Sequence, residues 1–150
     1  MLRRNGDIVA VIWYAARLFS ASTFLGSIFN SMTILYGIPN CDTVKKARNW
    51  LTQHDVAHVF HDFRKNGLEL SHLKHWLEVL TVKSLINRRS TTWKQLSDEQ
   101  KAMFDQDVLP DEALAIVLES PTLIKRPVLD NGVQLQLGFK PAEYAATFNK

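Results

Sequence analysis

Strand-forming runs alternate with runs of helical spacing along most of the chain. Residues 33–36 are rich in strand formers, which predicts a first strand. Residues 56–63 predict a second, in which 56, 58, 60 and 62 would lie on one face and 57, 59, 61 and 63 on the other. A helix is predicted from Asp42, with Asp42 or Thr43 as its cap, because apolar residues recur three or four positions apart: Val44, Ala47, Trp50 and Leu51. Since a helix separates the strands, we expect them to be parallel in a βαβ unit.

The middle third of the chain carries helical signals only. Ser71 is predicted to cap a helix that carries Leu73, Trp76, Leu77 and Leu80, and residues 84–87 are predicted to form a further helical turn. Ser97 and Gln100 have the spacing of a capping box. Pro110 stands where a first-turn proline belongs for a helix over residues 111–119.

The last part of the chain predicts a β-hairpin followed by a helix. Residues 128–130 and 133–138 are joined by Asn131-Gly132, a strong hairpin-turn signal, and a helix is predicted from Pro141 through Phe148. The complete order is therefore βαβ, several helices, then ββα. We interpret residues 32–150 as one α/β domain with an inserted helical region.

Residues 1–31 do not continue this pattern. Their apolar runs, 8–14 and 18–29, are separated by Arg17 and are too short for a membrane span of about 20 residues. They also lack a convincing signal-peptide cleavage site. We interpret Met32 as the natural start and residues 1–31 as an extension outside the domain, from a mistaken start or a vector. A real amphipathic or targeting leader is the alternative.

Composition narrows the functional classes. A chain of 150 residues with 46% hydrophobic content is typical of a globular protein. The formal charge is +3, and residues 1–31 supply three arginines and one aspartate, which leaves +1 for the domain and argues against a nucleic-acid partner. A single cysteine excludes an internal disulfide and fits a reducing compartment. We expect a cytoplasmic monomer without a membrane partner.

Cys41 is the candidate nucleophile. It lies between a predicted strand end and a predicted helix start, where free backbone N–H groups and the helix dipole stabilise an anion. Lys45, one turn further on, adds a positive charge that favours the thiolate. A small buried structural cysteine is the alternative, but it fits the polar loop Pro39-Asn40-Cys41-Asp42-Thr43 poorly. His61, His72 and His75 lack a completing carboxylate or cysteine, so no metal site is predicted.

Four ordered segments resemble the ArsC family, and within it the YffB-like branch. They are Tyr-Gly-Ile-Pro-Asn-Cys-Asp-Thr-Val-Lys-Lys-Ala at 36–47, Leu-Ile-Asn-Arg-Arg at 85–89, Pro-Thr-Leu-Ile-Lys-Arg-Pro-Val at 121–128, and Gly-Phe-Lys-Pro at 138–141. The resemblance implies a thioredoxin-like (glutaredoxin-like) fold with an inserted helical region. It also implies a thiol oxidoreductase with no bound cofactor, glutathione as co-substrate, and glutathione or a partner glutaredoxin as the resolving thiol.

The resemblance also implies a set of site residues. Cys41 would be the nucleophile, and Arg126 would line its pocket just before Pro127, which is expected to be cis. The remaining candidates for substrate binding are Asn40, Lys45, Arg88, Arg89 and Lys140. Arsenate reductases hold their oxyanion with two further arginines, but the best-aligned positions here carry Asn87 and Lys140, with Arg88 or Arg89 as replacement for the first.

These departures separate three hypotheses. The leading one is a glutathione-dependent thiol reductase that uses a single cysteine. The second is an arsenate reductase coupled to glutathione or glutaredoxin. The third is a non-enzymatic regulator resembling Spx, which binds RNA polymerase and uses a C-x-x-C switch, whereas this chain has Val44 in the second cysteine position.

Overall fold

A computed structural model describes residues 32–150, and the expectation for residues 1–31 lies outside this range. The strands are β1 (Thr33–Gly37), β2 (His58–Asp62), β3 (Val128–Asp130) and β4 (Leu135–Leu137). They form one sheet in the order β2-β1-β3-β4. β1 is parallel to β2 and antiparallel to β3, and β3 is antiparallel to β4. The predicted parallel βαβ unit is confirmed.

Eight α-helices lie within residues 32–150, and six of them correspond to predicted helices. They are α1 (Asp42–Gln53), α2 (Phe63–Asn66), α3 (Leu70–Val79), α4 (Val82–Leu85), α5 (Thr91–Gln95), α6 (Asp98–Met103), α7 (Asp111–Glu119) and α8 (Pro141–Phe148). A short 3-10 helix, Pro121–Leu123, follows α7. Helices α2 to α7 all lie between β2 and β3, as expected for an inserted helical region.

Two hydrophobic cores lie on opposite faces of the sheet. Side chains alternate between the faces of a strand, and in β1 Leu35 joins one core while Tyr36 joins the other. The Leu35 core is formed with residues of α1 and α8, including Leu51 and Tyr144. The Tyr36 core is formed mainly with residues of the helical insertion, including Trp76. The sheet is therefore covered by helices on both faces.

Several predicted element ends are wrong by one or two residues. α3 starts at Leu70 with Glu69 as its N-cap, and the Ser71 hydroxyl donates instead to the Glu69 carboxylate at 3.3 Å. Phe63 belongs to α2 rather than to β2, because the Asp62 carboxylate accepts a hydrogen bond from the Arg64 N–H at 2.9 Å and begins a helix. The Ser97–Gln100 capping box is confirmed.

Two other predicted positions differ in detail. Pro110 is the N-cap of α7 rather than its first helical residue. The helical turn predicted over residues 84–87 is α4, which starts at Val82 because the Thr81 hydroxyl accepts from the Ser84 N–H at 3.2 Å. Helix α5, capped by Ser90, was not predicted as a separate element.

The β3–β4 hairpin is confirmed, but its turn is longer than predicted. The loop covers residues 131–134, and β4 begins at Leu135 rather than at residue 133. The Asp130 carboxylate accepts from the Gly132 N–H at 2.8 Å, and the Asn131 side-chain oxygen accepts from the N–H groups of Val133 and Gln134 at 3.0 and 2.9 Å. These side-chain contacts replace ladder pairing, so the turn takes four residues.

The end of β1 approaches α1 so closely that only glycine fits at position 37. A Cβ atom at Gly37 would lie 2.8 Å from Cγ2 of Val44, a fully buried side chain in the first turns of α1. We predict that Gly37→Ala lowers the free energy of unfolding by about 1–3 kcal/mol, because the close-packed Val44 has to move. Denaturant unfolding of Gly37→Ala, Val44→Ala and the double variant measures it. Strictly additive losses would contradict the contact, since a smaller side chain at 44 should relieve the clash.

The buried Tyr36 side chain makes the free energy of unfolding depend on pH in the alkaline range. Burial raises the pKa of Tyr36 from 10.0 to about 12, and the carboxylates of Asp130 and Glu69 add to the effect. Because the folded state holds the neutral phenol more tightly than the unfolded state, this contribution is complete below pH 10.0 and is lost as the pH rises towards 12.

We therefore predict that the wild type loses stability faster than Tyr36→Phe above pH 10.0. The difference should grow by about 1 kcal/mol per pH unit. Denaturant unfolding at pH 8, 10 and 11, chosen to bracket the titration, measures it. Parallel pH profiles for the two proteins would show that the Tyr36 hydroxyl does not titrate in this way.

Candidate functional site

Cys41 itself is the N-cap of α1. Its backbone is extended, with φ of −118°, and its carbonyl accepts from the Lys45 N–H at 2.9 Å. The prediction that Asp42 or Thr43 caps this helix is wrong, because Asp42 is already the first helical residue. The half-buried Cys41 side chain makes no capping hydrogen bond. Its sulfur therefore lies at the start of a 12-residue helix but does not take part in capping it. The backbone N–H groups of the first helical turn, which have no partner within the helix, lie at this end of α1.

The Arg126–Pro127 peptide bond is cis, as expected. It directly precedes β3, whose first residue Val128 is paired with Tyr36 near the end of β1. On its other side, the Gly138 N–H donates to the Pro127 carbonyl at 2.8 Å. Pro127 is therefore held between the end of β1, which leads to Cys41, and the end of β4. The nucleophile candidate and the proline loop lie at the same edge of the sheet.

A cationic cavity of about 530 Å³ opens beside this proline loop. Its charged lining consists of Lys83, Arg88, Arg89, Lys125 and Arg126, and no acidic residue within 32–150 lines it. The rest of its wall is Ile86, Asn87, Leu137 and Gly138. An anion entering this cavity would meet positive charge on several sides.

Two distant chain segments form the charged part of the cavity wall. Ile86 and Ile124 pair in an isolated antiparallel bridge, and both side chains are buried. The Asn87 N–H donates to the Leu123 carbonyl at 2.7 Å, and the Lys125 N–H donates to the Leu85 carbonyl at 2.8 Å. This pairing brings the Arg88-Arg89 and Lys125-Arg126 dipeptides to one cavity.

The three arginines of the cavity differ in their surroundings. Arg88 donates to the Asp105 carboxylate and to the Phe104 carbonyl, both at 2.8 Å, and its guanidinium lies 5.1 Å from the Trp93 ring centre. Arg89 has no side-chain partner within residues 32–150. Arg126 has a buried Nη1 without a hydrogen-bond partner in the described part of the chain. Arg88 is thus occupied in tying the insertion together, whereas Arg89 and Arg126 are available to a ligand.

The remaining predicted site residues do not line this cavity. Cys41 and the buried Pro127 lie at the same edge of the sheet as the cavity but are not part of its lining. Asn40 and Lys45 are exposed around the start of α1. Lys140 precedes α8, and its ammonium donates to Glu143 at 2.7 Å, which raises the pKa of the lysine. Conversely, Lys83 and Lys125 line the cavity but were not selected from sequence. Only the Ile86–Ile124 pairing brings these two lysines together, and nothing in the local sequence indicates it.

Within residues 32–150, no group of three or more His, Cys, Asp and Glu side chains is arranged to hold a metal ion. His61 and His72 lie in the aromatic core around Tyr36, with 6.1 Å between their ring centres, and His61 Nε2 lies 2.8 Å from the Gly67 carbonyl oxygen. No helix in the described range is both long and apolar enough to cross a membrane.

The sequence matches the ArsC family over residues 36–147. The chain belongs to the ArsC family. Among solved structures, the YffB protein is 43% identical, with a TM-score of 0.69 over 77% of this chain and 97% of that one. An ArsC-related protein of Brucella melitensis is 39% identical, with a TM-score of 0.59 over 79% and 96% of the two chains. The fold is therefore the thioredoxin-like α/β fold of this family.

Proteins similar to this chain carry names from more than one functional class. The Brucella protein is described as arsenate-reductase related. The global transcriptional regulator Spx 1 of Lactococcus lactis is 33% identical over 118 residues, which cover 77% of this chain and 88% of the regulator. Family membership therefore accounts for the fold and leaves the choice between reductase and regulator to the chemistry of this site.

We predict that Arg88 and Arg89 contribute differently to stability despite being adjacent. Arg88→Ala should lower the free energy of unfolding by about 1–2 kcal/mol, since it loses a carbonyl hydrogen bond, a partly exposed ion pair and a ring contact. Arg89→Ala is the matched control and should change it by less than about 0.5 kcal/mol. Denaturant unfolding compares the two. Equal losses would mean that the contacts of Arg88 do not tie the insertion together.

Proposed function

We propose that this ArsC-family chain is a glutathione-dependent thiol reductase in which Cys41 is the only nucleophile. The observation that carries the proposal is the position of this lone cysteine. It caps α1 just after the end of β1, and the Pro127 loop begins the strand that pairs beside this end of β1. Arg126 of that loop lines the cationic cavity. A sulfur at a helix N-terminus is favoured as thiolate, the form that attacks disulfides.

The reaction takes two balanced exchanges. The Cys41 thiolate attacks the glutathione sulfur of a glutathionylated thiol, so the new Cys41–glutathione disulfide forms as the substrate thiolate leaves. A second glutathione thiolate then attacks this mixed disulfide, which releases oxidised glutathione and regenerates the Cys41 thiolate. The sequence contains one cysteine, so the second thiol comes from outside the chain, as glutathione or a glutaredoxin.

The cavity favours glutathione over arsenate as the physiological ligand. Arsenate is a compact tetrahedral anion best held by several converging guanidinium forks. Here Asn87 lines the cavity, Lys140 lies outside it, and Arg88 is bonded to Asp105. A cavity of about 530 Å³ with dispersed cations instead suits a peptide-sized ligand with separated carboxylates.

The site also weighs against a dithiol regulator. A C-x-x-C switch needs a second cysteine one turn into α1, and that position is the buried Val44, which packs against Gly37. No sulfur is available there. Binding to a transcription protein without thiol turnover remains the rival outcome of the test below.

The deciding experiment is intact-mass measurement after incubation with oxidised glutathione. We predict that the wild type gains one glutathionyl group, that reduced glutathione removes it, and that Cys41→Ser gains none. In coupled assays, the wild type should reduce a glutathionylated peptide faster than it reduces arsenate, with glutathione and glutaredoxin present in both assays.

Efficient arsenate turnover without glutathionylation of Cys41 would replace this proposal with arsenate reduction. Absence of turnover with either electrophile, together with specific capture of RNA polymerase, would replace it with the regulator hypothesis.

A further inference from the structure

We propose that Lys83 and Lys125 form a separate subsite of the cavity that binds the glycyl carboxylate of glutathione. The inference rests on the proposed function and deepens it by assigning a specificity role to two residues that were not selected from sequence. It concerns binding rather than the exchange step, and it is therefore testable without turnover.

The two lysines are held on the same cavity wall. Lys125 is fixed by its N–H, which donates to the Leu85 carbonyl at 2.8 Å, and its ammonium donates to the Lys83 carbonyl at 3.4 Å. Lys83 lies in α4, two residues before Leu85. Both side chains line the cavity. The Ile86–Ile124 bridge thus brings the Lys125 ammonium group to the backbone of Lys83, 42 residues away in sequence.

Neither lysine has a counter-ion within residues 32–150. The ion pairs of this range are His75–Glu78, Arg88–Asp105, Lys101–Asp98 and Lys140–Glu143. Lys83 and Lys125 belong to none of them, and no acidic residue of the range lines their cavity. Like charges that line one cavity repel each other, and an anion bound there would offset that repulsion.

The lysines differ from Arg126 in their exposure to solvent. The Nη1 atom of Arg126 is buried, whereas Lys83 is exposed and Lys125 is half-buried. The cavity therefore offers one buried guanidinium nitrogen and two ammonium groups on more exposed side chains. A peptide thiol with two terminal carboxylates has one carboxylate for each of these positions.

The chemistry of glutathione decides which carboxylate the lysines take. The γ-glutamyl end carries an ammonium beside its carboxylate, and two lysine ammonium groups would repel it. The glycyl carboxylate has no positive neighbour. A pair of uncompensated lysines is therefore matched to the glycyl end.

The test measures binding of S-methylglutathione by titration calorimetry at low salt, because this ligand has both carboxylates and no free thiol. Lys83→Gln and Lys125→Gln should each weaken binding about 3- to 10-fold, as expected for a partly exposed charged hydrogen bond. Lys94→Gln removes the same charge from an exposed position outside the cavity and should change binding by less than about twofold.

A second ligand tests the same subsite without relying on variants. The glycyl methyl ester of S-methylglutathione should bind the wild type about 3- to 10-fold more weakly than the parent ligand. For Lys83→Gln and for Lys125→Gln, the ester should bind no more weakly than the parent ligand. Equal affinity of wild type and both lysine variants for the parent ligand would overturn the subsite, as would an undiminished preference of the variants for the free carboxylate.

These outcomes are distinct from failure of the proposed function. If Cys41 forms the mixed disulfide but the lysine variants bind like wild type, only the subsite is wrong. If Cys41 never forms it, yet the lysines still discriminate the free carboxylate from the ester, the subsite holds and the reductase assignment is wrong.

Discussion

The strand β1 is the element on which the rest of the domain depends. It pairs with β2 on one edge and β3 on the other, and its alternate side chains enter both hydrophobic cores. Leu35 and Tyr36 are each almost fully buried, on opposite faces. Because the strand is held on all four sides, the loop after Gly37 leaves from a fixed point, and Cys41 is positioned by the best-packed part of the fold rather than by its own contacts.

The site is completed by weaker, more local interactions. The helical insertion reaches the sheet edge through the Ile86–Ile124 bridge and its two flanking hydrogen bonds. Arg88 then joins the residues after this bridge to the end of α6, near Phe104 and Asp105. The shape of the cavity thus depends on a short pairing between the end of α4 and the segment before Pro127. The position of the nucleophile depends on the central sheet instead.

Sequence predicted the elements that have a strong local signal and missed what arises from pairing at a distance. The βαβ unit, the Ser97 capping box and the Asn131-Gly132 hairpin follow from periodicity, capping and turn chemistry within a few residues. The N-cap of α1 was misplaced because Asp42 and Thr43 are better capping residues by type than Cys41, yet the close packing of Val44 on Gly37 sets where the helix begins. Lys83 and Lys125 could not be recognised as neighbours, since their proximity comes from a bridge between segments separated by helices α5, α6 and α7. The contact between Arg88 and Asp105 could not be recognised from the sequence for the same reason.

The division of the cavity wall between two chain segments has a thermodynamic consequence. Residues 85–89 come from the insertion and residues 123–126 from the approach to β3, so a ligand that contacts both bridges a seam in the domain. Such a ligand binds only while the seam is closed, and by linkage it must strengthen the closed state by the same free energy that closure contributes to its own binding. Docking of the insertion and occupancy of the cavity are therefore a single coupled equilibrium.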